Sequence, residues 1–388
     1  MRGEAAPEAA TRPVTSIDGR APGTGVRRLP FVDGIRGFAA VVVLLNHAIF
    51  FPPTMHEPAL LTHASLADLL VWPFHFGAEM VELFLLISGF SLYYSELARR
   101  AKGRPPTTLR QFAARRAWRI GPVYYLAIVA GLAVVLPLGD RLNVRPADAT
   151  VVQATIGGFV SHVFFVHSFH GTWLYQINAP LWSIALEVQL YLLFPLLYFA
   201  MRRWNPWLVA IVTLILVRIV NLTPLDVPIF RLARWFVAGA LLAELVHRGV
   251  RVRARYALPA GLAALLLGMA HLTKLQPGAR HDAIWLAAFV LLIFAALEYP
   301  DAQRNPMSWR WMRWLGLRSY SIYALHFPIV LVVLYATQHW QLTGWNAIAL
   351  TVGIGGPVSL LAAAISFHYV EGPSLKRVDA VGRRPALT

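Results

Sequence analysis

Eleven apolar runs punctuate the chain, at about residues 30–50, 74–95, 119–138, 152–168, 180–201, 206–222, 231–247, 256–273, 282–298, 318–337 and 344–369. Most hold about 17–22 residues, the length a helix needs to cross ~30 Å of hydrocarbon. Short Arg- or Pro-rich joints separate them. This pattern predicts an all-α fold, a polytopic membrane helical bundle. The run at 152–168 is the weakest, interrupted by Gln153, two glycines and His162.

Charge decides how many runs cross. Lys and Arg gather on the cytoplasmic side of membrane proteins. Were all eleven runs to cross, Arg202, Arg203 and the Arg248–Arg255 cluster would fall outside. Treating 152–168 as interfacial or re-entrant repairs both. The N-terminus, 96–119, 202–205, 248–255, 301–317 and the C-terminus then share the cytoplasm, and the outer loops keep only Arg141, Arg145, Lys274 and Arg280. The expectation is therefore ten transmembrane helices (eleven if 152–168 crosses) in the cell membrane, plasma or inner, with both termini cytoplasmic. Residues 1–28, rich in Ala, Pro, Gly and Arg without an apolar core, read as a disordered cytoplasmic tail. Residues 29–373 form the membrane domain and 374–388 a second tail.

Composition sharpens this picture. The chain is 57% hydrophobic and 14% charged, too little polar surface for a soluble protein of 388 residues. Many of its 13 Trp flank the apolar runs, where interfacial aromatics sit. The net charge of +16 would suit nucleic acid, but its concentration in the joints reads as membrane topology, so no nucleic-acid partner is expected. With no Cys there are no disulfides, thiolate metal sites or Cys-acyl intermediates, and no metal site is expected. Nothing in the pattern fixes an oligomeric state.

Ionisable groups inside the runs each need a reason, at about 2.5–3.5 kcal/mol on insertion scales. Asp33 and Arg36 stand three apart at the cytoplasmic end of the first helix, spaced for an ion pair. His47 follows Arg36 by eleven residues, about 16 Å further along and on nearly the same face. The second run carries Glu79 and Glu82, then Ser88-Gly89-Phe90, which suits close helix packing as well as a site. Arg116 and Arg119 stand a turn apart at the mouth of the third helix, with Pro122 opening its first turn; anchoring alone would also explain them. Trp182 and Ser183 lie at the outer interface, with Glu187 deeper, near the level of His47. Arg231 and Arg234 open another span from outside and could meet Glu187 or an anionic substrate. Arg318, Tyr320, Ser321, Tyr323 and His326 rise in sequence from the cytoplasm. Together these residues predict one layered cavity, arginines below, His and Glu in the middle.

These residues carry a resemblance. "FVDGIRGFAAVVVLLNH" is similar to the opening of the membrane acyltransferase-3 family, whose mark is an Arg and a His separated by ten residues. "VELFLLISGF", "RRAWRIGPVYY", "PLWSIALEVQLYLLFP", "LGLRSYSIYALHFP" and "FHYVEGP" follow in the family's order, so the match covers about residues 29–373. Glu82 stands where an Asp is usual, and Ala185 and Val188 where Ser and a second Glu are common. No C-terminal SGNH-type esterase domain is expected.

The resemblance implies transfer of an acyl group, often acetyl from acetyl-CoA, to a hydroxyl of a sugar-containing acceptor: a cell-envelope polysaccharide, lipid-linked glycan or glycosylated natural product. Acyl-CoA would be a co-substrate, with no permanently bound cofactor. In the layout this suggests, Arg36, Arg116, Arg119 and Arg318 hold the coenzyme phosphates at the inner face. His47 is the general base and His326 the alternative base, with Glu187 orienting the base or binding the acceptor. Glu82, Ser88, Trp182, Ser183, Arg234 and Tyr323 are the candidate substrate contacts. Direct transfer and a Ser or His acyl-enzyme both stay open. The rival class is a proton-coupled transporter or exporter of a small polar solute, since intramembrane His, Glu and Arg also build proton relays; the absence of internal repeats counts against it.

Overall fold

A computed structural model describes residues 29–51, 66–144, 146–220, 223, 227–271, 279–300 and 303–383. The expected tail at 1–28 lies outside the described residues. No strand occurs among those described. The helices are α1 (Pro30–Phe50), α2 (Leu66–Val71), α3 (Gly77–Ala101), α4 (Leu109–Leu138), α5 (Ile156–Val163), α6 (Leu181–Arg203), α7 (Pro206–Val220), α8 (Pro228–His247), α9 (Ala254–His271) and α10 (Ala279–Glu298). They continue with α11 (Arg310–His339), α12 (Gly344–Leu350), α13 (Gly356–Ser366) and α14 (Gly372–Arg383). Two π-helical turns join the last three into one long helical stretch.

Seven helical stretches among the described residues are long and apolar enough to cross a membrane, and Pro206–Val220 and Ala254–Ala270 are shorter apolar helices. With the 20-residue α8, which carries Arg231, Arg234 and Glu244, they make ten helices in the order of the ten expected spans. Large apolar side chains of α7 and α9 (Leu208, Ile211, Ile215, Leu262 and Leu266 among them) point outward, as they do where the solvent is lipid.

Local chemistry sets the ends. Thr108 caps α4 in a reciprocal box with Gln111, so the helix starts ten residues before its apolar run, over the basic stretch holding Arg116 and Arg119. Pro122, expected in the first turn, consequently lies inside the helix. Pro30 and Pro228 open α1 and α8, where a missing N–H costs nothing. The segment from 374, expected as a tail, is helical to Arg383 and lies on α4, with Arg377 over the Trp118 ring at 4.3 Å.

Two glycine crossings register the bundle. A Cβ on Gly316 of α11 would come 1.9 Å from the Asp33 carbonyl oxygen, and one on Gly37 of α1 would come 2.6 Å from the Gly316 nitrogen. Likewise, a Cβ on Gly89 of α3 or Gly239 of α8 would meet the other helix's backbone at 2.0 or 1.9 Å. Only hydrogen at these positions lets the backbones touch.

The weak run 152–168 forms no helix of spanning length. Its helix α5 has eight residues, about 12 Å of rise, far short of a ~30 Å core. The segment instead dips alongside α4: Val152 lies against Gly139, the His162 carbonyl accepts from Tyr124 Oη at 2.8 Å, and Ile177 has climbed back to Gly131. Gly139 and Tyr124 are fifteen residues apart on or beside one helix, so the dip spans roughly 22 Å. Irregular backbone survives at membrane depth only where protein satisfies it. Here Gln189 Nε2 donates to the Phe165 carbonyl (2.8 Å) and Asn178 Nδ2 to the carbonyls of Ala324 (2.9 Å) and Ala127 (3.2 Å).

Candidate active site

Where α1, α3, α4, α6 and α11 meet, a cavity encloses about 710 Å³ of empty space, its open mouth included. Eight of the residues singled out from the sequence line it: Arg36, Arg116, Arg119, Ser88, Ser183, Glu187, Tyr320 and Tyr323. Arg36 faces this space, and the Asp33–Arg36 pair that their spacing allows is not among the ion pairs of the described residues.

Contacts between helices give the heights of the layers. Arg116 lies over the rings of Tyr191 (5.2 Å) and Phe112 (5.7 Å), a stacked arrangement that suits guanidinium. Arg119 stands 3.9 Å from Glu371, which itself accepts from Ser321 Oγ at 2.6 Å. Above them, Glu187 Oε1 accepts from Ser88 Oγ at 2.6 Å and from Tyr191 Oη. One turn higher, Ser183 Oγ donates to the Pro180 carbonyl, so its 2.6 Å contact with Tyr323 is a bond donated by the phenol.

His47 and His326 lie beyond Tyr323 and do not themselves line the cavity. His47 Nδ1 is 2.9 Å from His326 Nε2, the rings stacked with centroids 5.1 Å apart. His326 Nδ1 faces the Tyr323 carbonyl at 2.8 Å and the Ile322 carbonyl at 3.1 Å. Carbonyls only accept, so Nδ1 of the neutral His326 carries its proton and Nε2 offers a lone pair. His47 Nδ1–H then donates to that lone pair, which leaves Nε2 of His47 as a proton acceptor. His326 is fully buried, whereas His47 is half-buried.

Other candidates sit elsewhere. Glu187 lies just above the arginine layer, roughly 10 Å below His47 by helix rise. The partner of His47 is accordingly His326, not Glu187. Arg318 does not line the cavity: its guanidinium packs between the Trp314 and Phe367 rings and donates to the Trp314 carbonyl. Arg234, expected near Glu187, pairs with Asp282 of α10 at 2.7 Å. Glu82 lies near this pair and near a second, buried one, Glu79–His281 at 3.2 Å, on the face of α3 turned from the cavity. Trp182 packs against the core and does not line the cavity.

Tyr191, Tyr320 and Glu371 lay in the quoted motifs without a role. Tyr191 stands four residues after Glu187 and Tyr320 three before Tyr323, helical spacings that place each on its neighbour's face. Tyr320 Oη donates to the Ile120 carbonyl at 2.8 Å and closes the wall beside Arg119. Glu371 reaches Arg119 from the far end of the chain, which no local spacing announces.

Comparison with known proteins agrees with the motifs. The family model described as an acyltransferase domain, acyltransferase-3, matches residues 29–367. "Peptidoglycan O-acetyltransferase OatA" of Listeria monocytogenes is 24% identical over 380 residues, 90% of this chain and 56% of that protein. "Putative peptidoglycan O-acetyltransferase YrhL" of Bacillus subtilis is 23% identical over 379 residues, 89% of this chain and 55% of that one. "Acyltransferase MdmB" of Streptomyces mycarofaciens is 25% identical over 404 residues, 94% of this chain and 95% of its own. The chain thus spans little more than half the length of the first two relatives. No solved structure matches. A transporter reading has no counterpart in these matches, and by the extent of the family match the chain belongs to the acyltransferase-3 family of membrane acyltransferases.

Proposed function

We propose that the protein is an O-acyltransferase that moves an acyl group, most simply acetyl, from cytoplasmic acyl-CoA to a hydroxyl of a sugar-containing acceptor. One observation carries this reading: three arginines, Glu187 and Tyr323 line one cavity, and next to Tyr323, outside that lining, His326 engages Nδ1 of His47 and leaves its Nε2 as a proton acceptor.

The chemistry follows from those groups. A polyanionic coenzyme is too costly to draw through lipid, so its phosphates stay with Arg36, Arg116 and Arg119 while the thioester arm rises toward Tyr323. The acceptor oxygen attacks the thioester carbonyl carbon as His47 Nε2 takes its proton. The C–O bond forms, the C–S bond breaks, and the departing thiolate recovers the proton from His47, giving ester and free coenzyme. His326 acts as a positioning residue: it holds the His47 tautomer and disperses the charge of the imidazolium. Glu187, with one oxygen committed to Ser88 and Tyr191, presents the other to a donor group on either substrate. A carbohydrate acceptor fits the names of the peptidoglycan O-acetyltransferase relatives.

Purified protein with acetyl-CoA and a membrane-glycan extract should release free coenzyme thiol and leave an acetyl mass increment on a glycan. Absence of acetyl-CoA binding by well-folded protein would overturn the donor assignment.

A further inference from the structure

A second cavity, about 820 Å³, opens at the ends of α3 and α6 and is walled by Arg100, Arg104, Arg202 and Arg203 together with Tyr198 and Phe199. None of the four arginines joins an ion pair among the described residues. Glu96, the one carboxylate on the wall, accepts hydrogen bonds from Thr107 Oγ1 and N. Topology anchors need only point toward the cytoplasmic interface. Here four arginines, from the end of α3, the loop after it and the end of α6, line one concavity with two aromatic residues, one of them, Phe199, 60% exposed.

The two cavities lie along one helix, α6. Tyr198 lies seven residues beyond Tyr191 on α6, about 10 Å further toward its C-terminal end. A file of packed rings lies between them: Tyr198 to Phe194 (6.1 Å), Phe194 to Phe112 (5.5 Å), and Phe112 beneath Arg116. A molecule whose phosphates reach Arg116 and Arg119 would therefore extend its distal end along these rings.

We infer that this second cavity takes the nucleotide end of the acyl-CoA donor, the adenine against Phe199 and Tyr198 and the ribose phosphate among the four arginines. The inference rests on the acyl-CoA reading above and goes beyond it by dividing the donor between two sites. Guanidinium suits both parts: its planar fork matches phosphate oxygens, and its face stacks on purine and aromatic rings. Such a division gives the donor much of its affinity far from the reacting carbonyl.

The test measures binding of CoA, 3′-dephospho-CoA and 4′-phosphopantetheine to the full chain in phosphatidylcholine nanodiscs, for wild type, Arg202→Gln/Arg203→Gln and Arg116→Ala. Both residues of the double variant are exposed, so folding should survive, and Tm confirms it. Wild type should bind CoA at least about tenfold more tightly than phosphopantetheine, with dephospho-CoA between. The double variant should lose that preference while its affinity for phosphopantetheine stays unchanged. Arg116→Ala should weaken both ligands. Equal weakening of CoA and phosphopantetheine in the double variant, or no change in either, would overturn the inference and leave the donor reading standing. No binding of any of the three ligands by wild type would overturn both. If the double variant keeps its CoA preference and differs from wild type only in phosphatidylglycerol discs, the cavity is a lipid-headgroup site and the inference fails.

Discussion

Gly37 of α1 and Gly316 of α11 touch backbone to backbone, and each stands ten residues before its helix's histidine, His47 and His326. Both helices rise about 15 Å from the crossing, so the two rings arrive at one height and meet at 2.9 Å. The crossing thus fixes the distance between the proposed base and the residue proposed to orient it.

Gly316→Ala should break this registration, since the new Cβ would fall 1.9 Å from the Asp33 carbonyl oxygen. Overpacking of this kind costs about 1–3 kcal/mol, and displacement of the base by an ångström costs up to about 100-fold in rate. Tm in detergent and the transfer rate per folded molecule are the readouts. Unchanged values of both would show that the crossing does not register the pair.

Arg116→Ala should raise the apparent KM for acyl-CoA about tenfold or more and change kcat little, as expected for loss of a charge-assisted phosphate contact. Arg116→Lys should recover only part of that loss, because an ammonium cannot reproduce the planar group stacked on Tyr191 and Phe112. Steady-state kinetics over donor concentration decides between this and a plain anchoring role, which predicts an unchanged KM.

His326→Ala should lower kcat while the donor KM holds, whereas His326→Gln should retain more activity, its side-chain oxygen being able to accept from His47 Nδ1–H. If His47 is the base, transfer requires it unprotonated, so the wild-type rate should rise with pH as the imidazolium gives up its proton. That rise should be absent from the residual rate of His47→Ala. Identical profiles in wild type and His47→Ala would place the titrating base elsewhere.

Topology is open to a direct test because the native chain contains no Cys. A single Cys at the exposed Arg203 should react with an impermeant thiol reagent only from the cytoplasmic side, and one at the exposed Asn143 only from outside. Reaction of the Arg203 position from outside would invert the charge-based assignment.

Much of this architecture is legible in the sequence. Apolar runs give ten helices because an isolated span must satisfy its backbone internally and match the bilayer. The interrupted apolar pattern of 152–168 marks a segment whose helix stays too short to span, and helical phase places Arg36 and His47 on nearly one face. Helix ends were less visible: α4 and α11 begin ten and eight residues before their apolar runs, since basic interfacial stretches continue a helix without adding to hydropathy. Tertiary pairing is the part that spacing does not encode. His47 and His326 are 279 residues apart, and Arg234 takes Asp282 of α10, 48 residues on, rather than Glu187.

The most direct test of the account is His47→Gln in well-folded protein, read as acetyl transfer alongside CoA binding. Glutamine keeps hydrogen-bonding capacity but cannot take the hydroxyl proton at neutral pH. CoA affinity should match wild type, and transfer should fall by at least about 100-fold, the loss expected of a general base. Transfer near the wild-type rate by this variant would contradict the assignment of His47 as the base.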